Sequence, residues 1–167
     1  MRISRKLRAV IILAAVAVGL PLAALAFGTS DEGSGVPSDA LWHAIVAVES
    51  GGNVHAFNAH DGATGMAQIR SVCLGDVNRI ARQRGLDVRF TAGDRTNPRT
   101  TRHIWNLYLG YYGKQYEKET GRKPTDEVFA RIWNGGPSGW HKSSTLPYWG
   151  RVREAMKAAP TKEAEAF

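Results

Sequence analysis

The chain of 167 residues contains a single cysteine, Cys73, so no disulfide can form within it. A domain of this composition must be held together by its apolar core, to which five Trp, five Tyr and five Phe contribute. Cys73 lies on the apolar side of a predicted helix, which is typical of a small buried residue and not of a catalytic thiol. The sequence also shows no internal repeat and no spacing typical of metal ligands, so we expect no metal and no other cofactor.

The excess of positive charge is small once the N-terminus is set aside. The chain has 22 Lys and Arg residues against 15 Asp and Glu, a net charge of +7. Residues 1–26 hold four of the basic residues and none of the acidic ones, so the remainder has 18 against 15, or +3. This balance does not indicate a nucleic-acid-binding protein, and it suits an anionic polymer such as a bacterial cell wall.

The N-terminus has the pattern of a secretory signal peptide. Four basic residues precede an apolar run from residue 9 to residue 26, which ends in the small-residue sequence Ala24-Leu25-Ala26. We therefore predict a signal peptide over residues 1–26 and a secreted or periplasmic product. The alternative is an uncleaved membrane anchor, because eighteen apolar residues can just span a bilayer.

The remaining chain divides into a linker, one domain and a tail. Residues 27–37 are rich in Gly, Ser and acidic residues, which predicts a flexible linker, and residues 159–167 form a polar tail. Residues 38–158 are predicted to form the folded domain. Its apolar periodicity and capping residues predict five helices, from Ser38 to Glu49, Ser71 to Arg84, Asn97 to Thr120, Thr125 to Trp133 and Thr145 to Met156. Turn residues between Asn53 and Thr64 leave room for a small hairpin, and residues 87–94 read as a loop or a short strand.

Two carboxylates, Glu49 and Asp61, flank the irregular stretch after the first helix. Glu49 lies in the last turn of that helix, where the helix dipole and apolar neighbours such as Val48 should raise its pKa. Asp61 lies in a polar turn, where backbone N–H groups can keep it ionised. Hydrolysis of a glycosidic bond needs one protonated and one ionised carboxyl group. Taken singly, each residue also fits an ordinary role, as an exposed acid at a helix end or a turn residue before Gly62.

Three short motifs occur in an order that resembles the lysozyme superfamily: Glu49-Ser50-Gly51, Gly65-Met66-Ala67-Gln68-Ile69 and Asn134-Gly135-Gly136. The first two also resemble lytic transglycosylases. The segment from Ala130 to Trp149 is similar to the HNGGP…G…ST..YW segment of invertebrate-type (destabilase-like) lysozymes, a family that spaces its catalytic Glu and Asp as Glu49 and Asp61 are spaced. This resemblance covers roughly residues 41–152. It implies a mainly helical α+β lysozyme-like fold, with a small irregular β lobe and a cleft between the lobe and the helices.

The resemblance also implies an activity and a set of site residues. The activity is hydrolysis of the β-1,4 bonds between N-acetylmuramic acid and N-acetylglucosamine. Glu49 is expected to act as general acid and Asp61 as nucleophile or stabiliser of the oxocarbenium-like centre. The expected substrate-binding residues are Ser50, Gln68, Asn134, Gly135, Gly136 and Tyr148. Gln68 could equally satisfy backbone groups, and Tyr148 could belong to the core. The expected partner of a monomeric chain is peptidoglycan or a chito-oligosaccharide, with a membrane involved only if the N-terminal segment stays uncleaved.

The chain departs from that family in its cysteines, and two other functions remain open. Invertebrate-type lysozymes are rich in disulfides, whereas Gly51 and Trp140 stand where half-cystines are usual. A lytic transglycosylase would use Glu49 alone and release 1,6-anhydro products. A catalytically silent module would bind glycans without cleaving them. If the chain is a retaining hydrolase, the two carboxyl groups should lie about 5–5.5 Å apart.

Overall fold

The computed structural model describes residues 35–158. The predicted signal peptide, the linker before Gly35 and the tail after Ala158 lie outside the described residues. No helix in the described part combines the length and the apolar character that a membrane crossing requires.

Five α-helices and one two-stranded sheet make up the described chain. The helices are α1 (Asp39–Ser50), α2 (Ser71–Gln83), α3 (Pro98–Thr120), α4 (Asp126–Gly135) and α5 (Leu146–Ala158), and the strands are β1 (Phe57–Asn58) and β2 (Ala63–Thr64). The strands are antiparallel, with Phe57 opposite Thr64 and Asn58 opposite Ala63. Short 3-10 helices span Ala92–Thr96, Gly139–His141 and Ser143–Thr145. The predicted mainly helical fold with a small β lobe is confirmed.

Two details differ from the sequence-based expectation. The predicted loop or short strand over residues 87–94 contains no strand, and its end enters the 3-10 helix that begins at Ala92. Helix α4, predicted to end at Trp133, continues to Gly135. It ends at Gly136, whose φ of 82° takes the chain out of the helix.

The helix ends follow local chemistry that the sequence displays. The Ser38 hydroxyl accepts the Leu41 N–H at 3.0 Å and starts α1, while Gly51 ends it in the left-handed region, with φ 63°. The Asn97 side chain caps α3, whose first residue is proline. The Thr125 side chain accepts the Val128 N–H and caps α4.

The core is a continuous cluster of aliphatic and aromatic side chains from all five helices. Its largest fully buried side chains include Trp105 of α3 and Phe129 of α4. The rings of Trp42 and Trp105 meet edge to face with centroids 5.3 Å apart, and so join α1 to α3. A Cβ on Gly113 would lie 2.6 Å from a Phe129 ring carbon, so only glycine allows α3 and α4 to approach this closely. Aromatic packing therefore supplies the cohesion that disulfides would otherwise add.

The β lobe is fastened to the helices at two points. The Arg95 guanidinium donates to the carbonyl groups of Gly62 and Ile69, both at 3.1 Å. A Cβ on Gly65, whose φ is 82°, would lie 1.7 Å from the Arg95 carbonyl oxygen, so this approach requires glycine. On the other side, the Ser50 hydroxyl donates to the Met66 carbonyl at 2.8 Å. These contacts fix the turn between β1 and β2 relative to the end of α1.

We predict that Ser38→Ala lowers the free energy of unfolding by about 1–2 kcal/mol, because it removes a helix cap. The same hydroxyl also donates to the Asp126 carboxylate at 2.7 Å and thereby links α1 to α4. Urea unfolding followed by circular dichroism measures the change. Ser144→Ala, at an exposed position of the 3-10 helix Ser143–Thr145, is the matched control and should change stability by less than about 0.5 kcal/mol. Equal stability of the two variants would contradict the role given to this cap.

Candidate active site

A single cleft of about 730 Å³ holds both predicted catalytic carboxyl groups. Glu49 lines it from the end of α1, and Asp61 lines it from the turn of the β lobe. Helix α2 and the end of α4 complete the walls. The fold thus brings together two acids that the sequence separates by twelve positions.

Glu49 occupies an environment that favours its protonated form. Burial is the largest influence and raises the pKa of this carboxyl above its usual value. The Tyr148 hydroxyl, which donates a hydrogen bond to Oε1 at 2.8 Å, lowers the pKa by a smaller amount, as does the charge of Arg151. The negative charge of Asp61 raises it. The predicted direction of the shift is confirmed, although burial rather than the helix end is its main cause.

Tyr148 lies behind Glu49 and does not line the cleft. Only 3% of Tyr148 is exposed, and the Arg151 guanidinium lies 5.6 Å from the centre of its ring. Burial and the adjacent Glu49 carboxylate raise the pKa of Tyr148 well above the usual tyrosine value, so its hydroxyl stays protonated and able to donate. Tyr148 was expected either to bind substrate or to belong to the core. The structure places it in the core, where its hydroxyl binds Glu49 and can orient the acid.

Asp61 is exposed at the tip of the β lobe. Its carboxylate accepts the Ala63 N–H at 3.2 Å, as expected for an aspartate in a turn. The turn is closed by the Gly62 N–H, which donates to the Asn58 carbonyl at 2.8 Å. Asp61 therefore faces the cleft from a solvent-exposed side, in contrast to the partly buried Glu49 on the helical side.

Three of the other expected site residues line the cleft: Gln68, Asn134 and Gly136. The Gln68 side chain donates to the carbonyl groups of Gly65, at 2.9 Å, and Ala56, at 3.4 Å. Those bonds satisfy backbone groups of the lobe, which was one of the two roles predicted for it. Its backbone φ of 50° is the only left-handed value outside glycine in the described chain.

Ser50 and Gly135 do not reach the cleft wall. The Ser50 hydroxyl is used to join α1 to the lobe. A Cβ on Gly135 would lie 2.6 Å from Cγ2 of Thr145, so this glycine allows close packing against the 3-10 helix Ser143–Thr145. Both residues therefore have a role in shaping the site.

One wall of the cleft was missed from the sequence. Cys73, Asp76 and Arg79 of α2 belong to the lining, together with Arg70 just before the helix. Arg79 forms a salt bridge with Asp76 at 2.5 Å, and the Tyr112 hydroxyl also donates to the Asp76 carboxylate. Cys73, Asp76 and Arg79 are spaced three apart on one helix, and this spacing predicts that they share a face. The apolar periodicity of α2 predicted only the side that faces the core.

Cys73 has the unreactive character that its setting predicted. Burial raises the pKa of the thiol to about 12, so it is not a thiolate near neutral pH. Its side chain packs against the core while also touching the cleft. Across residues 35–158, no three His, Cys, Asp or Glu side chains are grouped so that they could hold a metal ion.

Comparison with known proteins identifies similar chains. No protein-family model matches this sequence. A lysozyme from Meretrix lusoria is 43% identical over 49 residues, which are 29% of this chain and 40% of that protein. The chain thus matches less than half the length of this curated relative.

Three solved structures share the fold. The lysozyme of Tapes japonica superimposes with a TM-score of 0.58 at 22% identity, over 73% of this chain and 93% of that one. Inhibitor-bound Meretrix lusoria lysozyme gives 0.55 at 25% identity, over 71% and 89%. The same lysozyme in complex with Aeromonas hydrophila PliI gives 0.57 at 24% identity, over 71% and 89%. The lysozyme fold and the resemblance to invertebrate-type lysozymes are therefore confirmed.

We predict that Glu49→Gln stabilises the protein at neutral pH. Because the pKa of Glu49 is higher in the folded than in the unfolded state, its ionisation opposes folding as pH rises from the usual value of 4.5 through the raised value. The stabilisation by Gln should therefore be small at pH 4 and grow towards pH 7, by about 1.4 kcal/mol for each pH unit between the two pKa values. Thermal unfolding at both pH values measures it. Glu119→Gln, exposed on α3, is the control, and a pH-independent effect of Glu49→Gln would contradict the prediction.

Proposed function

We propose that the chain is a peptidoglycan muramidase that hydrolyses the β-1,4 bonds between N-acetylmuramic acid and N-acetylglucosamine. The observation that carries this proposal is the pairing of a partly buried Glu49, whose pKa is raised, with an exposed Asp61 on one cleft. The similarity to lysozymes of Meretrix lusoria and Tapes japonica supports the same reaction class. We further propose a secreted or periplasmic, monomeric enzyme.

Glu49 is the group suited to protonate the glycosidic oxygen. Its raised pKa favours the protonated form that a general acid needs, and Tyr148 holds Oε1, which leaves Oε2 as the oxygen that can carry the proton towards the cleft. After the leaving group departs, the resulting carboxylate can take a proton from the attacking water. The hydrogen bond from Tyr148 stabilises this charged form and so assists the second half of the cycle.

Asp61 is the group suited to stabilise the positive charge that develops on the sugar. Its exposed carboxylate, which accepts the Ala63 N–H, faces the cleft in which the oxocarbenium-like transition state forms on the sugar. We infer a retaining reaction, in which Asp61 captures the glycosyl group or stabilises it. Asn134 and Gly136 line the cleft at the end of α4 and are proposed to contact the sugar. Gln68 also lines the cleft.

A lytic transglycosylase is the second candidate, because Asp61 is so exposed. That mechanism needs only Glu49, since the 6-hydroxyl of the muramic acid closes a 1,6-anhydro ring. A silent glycan-binding module would have no use for an acid whose pKa is raised by burial, because desolvation of the charged carboxyl group costs stability without aiding binding.

We predict that Asp61→Asn reduces clearing of purified peptidoglycan by orders of magnitude, because it removes the stabilising carboxylate. Glu49→Gln should lower the rate by at least about 10²-fold, as expected for a lost general acid. Turbidity measures both rates, and mass spectrometry of the wild-type products should show reducing ends that carry the added water. Asp87→Asn, which changes an exposed aspartate outside the cleft, is the control for loss of negative charge.

The outcomes separate the three functions. Wild-type rates for Asp61→Asn together with anhydro ends would replace the hydrolase with a transglycosylase. Binding of glycan fragments by a folded wild type that clears no peptidoglycan would indicate the silent module.

A further inference from the structure

Two guanidinium groups line the cleft, that of Arg70 just before α2 and that of Arg79 within α2, and they differ in their bonding. Arg79 makes four hydrogen bonds: its donors reach the Asp76 carboxylate at 2.5 and 2.8 Å, the Gln83 amide oxygen at 2.7 Å and the Tyr112 hydroxyl at 3.2 Å. Asp76 also neutralises its charge. Most of the Arg79 hydrogen-bond donors are therefore already used within the protein.

Arg70 has no such engagement. It immediately precedes α2, is exposed and lines the cleft together with Glu49 and Asp61. Its guanidinium makes no hydrogen bond or ion pair with any residue of the described range 35–158. The cleft thus contains one cation whose charge and donors are available to a bound molecule.

The position of Arg70 is not explained by the chemistry of the acid. Its positive charge lowers the pKa of Glu49, which opposes the protonated form that the proposed reaction needs. The lobe does not require it either, because Arg95 supplies the hydrogen bonds that hold the lobe. A cation that works slightly against the acid beside it is better explained by an interaction with the substrate.

We propose that Arg70 determines specificity by binding a carboxylate of the lactyl-peptide substituent that peptidoglycan carries and chito-oligosaccharides lack. Both polymers share a backbone of β-1,4-linked N-acetyl sugars, so neutral cleft residues such as Asn134 cannot distinguish them by charge. A guanidinium forms paired, charge-assisted hydrogen bonds with a carboxylate. This inference rests on the proposed function and names the part of its substrate that the α2 wall recognises.

The experiment compares two substrates in the same enzyme preparations. Glycan strands that retain their peptide stems and chitohexaose are each digested by wild type, Arg70→Gln, Arg70→Lys and Arg99→Gln, with kcat and KM measured at one pH. Arg99 is exposed near the start of α3 and outside the cleft, so Arg99→Gln removes the same charge as a matched control. The ratio of kcat/KM for the two substrates cancels any effect that acts through the pKa of Glu49, because both reactions use the same acid.

We expect Arg70→Gln to lower the ratio of kcat/KM, stem-bearing strands over chitohexaose, by about 3–10-fold, mainly through a higher KM for the strands. Arg70→Lys should recover part of the ratio, since it keeps the charge but loses the paired geometry. Arg99→Gln should retain the wild-type ratio.

Other results would overturn the inference. An unchanged ratio for Arg70→Gln, or an equal fall for Arg99→Gln, would show that Arg70 does not read the substituent. Those results leave the proposed function standing, because wild type still cleaves the strands. Failure of wild type to cleave either substrate would instead contradict the proposed function itself.

Discussion

The hydrogen bond between the Tyr148 hydroxyl and Glu49 Oε1, 2.8 Å long, is the contact on which the site depends. It joins α5 to the end of α1 across 99 positions of sequence and holds a carboxyl group that the fold has largely removed from water. Desolvation and the hydrogen bond act in opposite directions on the pKa of Glu49, and desolvation is the larger influence. The fold thus favours the protonated form of the acid while the hydrogen bond holds one of its two oxygens.

The β lobe solves the complementary problem of placing a charged group opposite that acid. Two strands of two residues each are too short to be stable alone, so the lobe depends on what supports it. Arg95 and the close approach at Gly65 provide that support on one side, and Ser50 provides it on the other. A chain with one cysteine can therefore position an exposed Asp61 through hydrogen bonds and packing, without the disulfides that are common in invertebrate-type lysozymes.

Local features were predictable from sequence and long-range ones were not. Ser38, Asn97 and Gly51 marked the helix ends correctly, because capping depends on neighbouring residues. The pKa direction of Glu49 was also predicted, since a helix end and apolar neighbours are visible in the sequence. The hydrogen bond from Tyr148 to Glu49 was not predicted, because a contact between residues 99 positions apart leaves no periodic trace.

The same limit applies to the surroundings of Gly135 and to the cleft-facing residues of α2, which also depend on long-range contacts. An Asn-Gly-Gly sequence suggests a close approach by a ligand, yet at Gly135 the close neighbour is Thr145. Arg70 and Arg79 look alike in sequence, and only the positions of Asp76 and Tyr112 show which one is engaged.

The most direct measurement is a carbon-13 NMR titration of the Glu49 side-chain carboxyl in the wild-type protein and in Tyr148→Phe. The structure requires a wild-type pKa above the ordinary glutamate value of 4.5, and a still higher pKa in Tyr148→Phe, because that variant loses a hydrogen bond to the ionised form. An ordinary pKa in the wild type would contradict the assignment of Glu49 as a buried general acid. An unchanged or lower pKa in Tyr148→Phe would contradict the role given to the tyrosine.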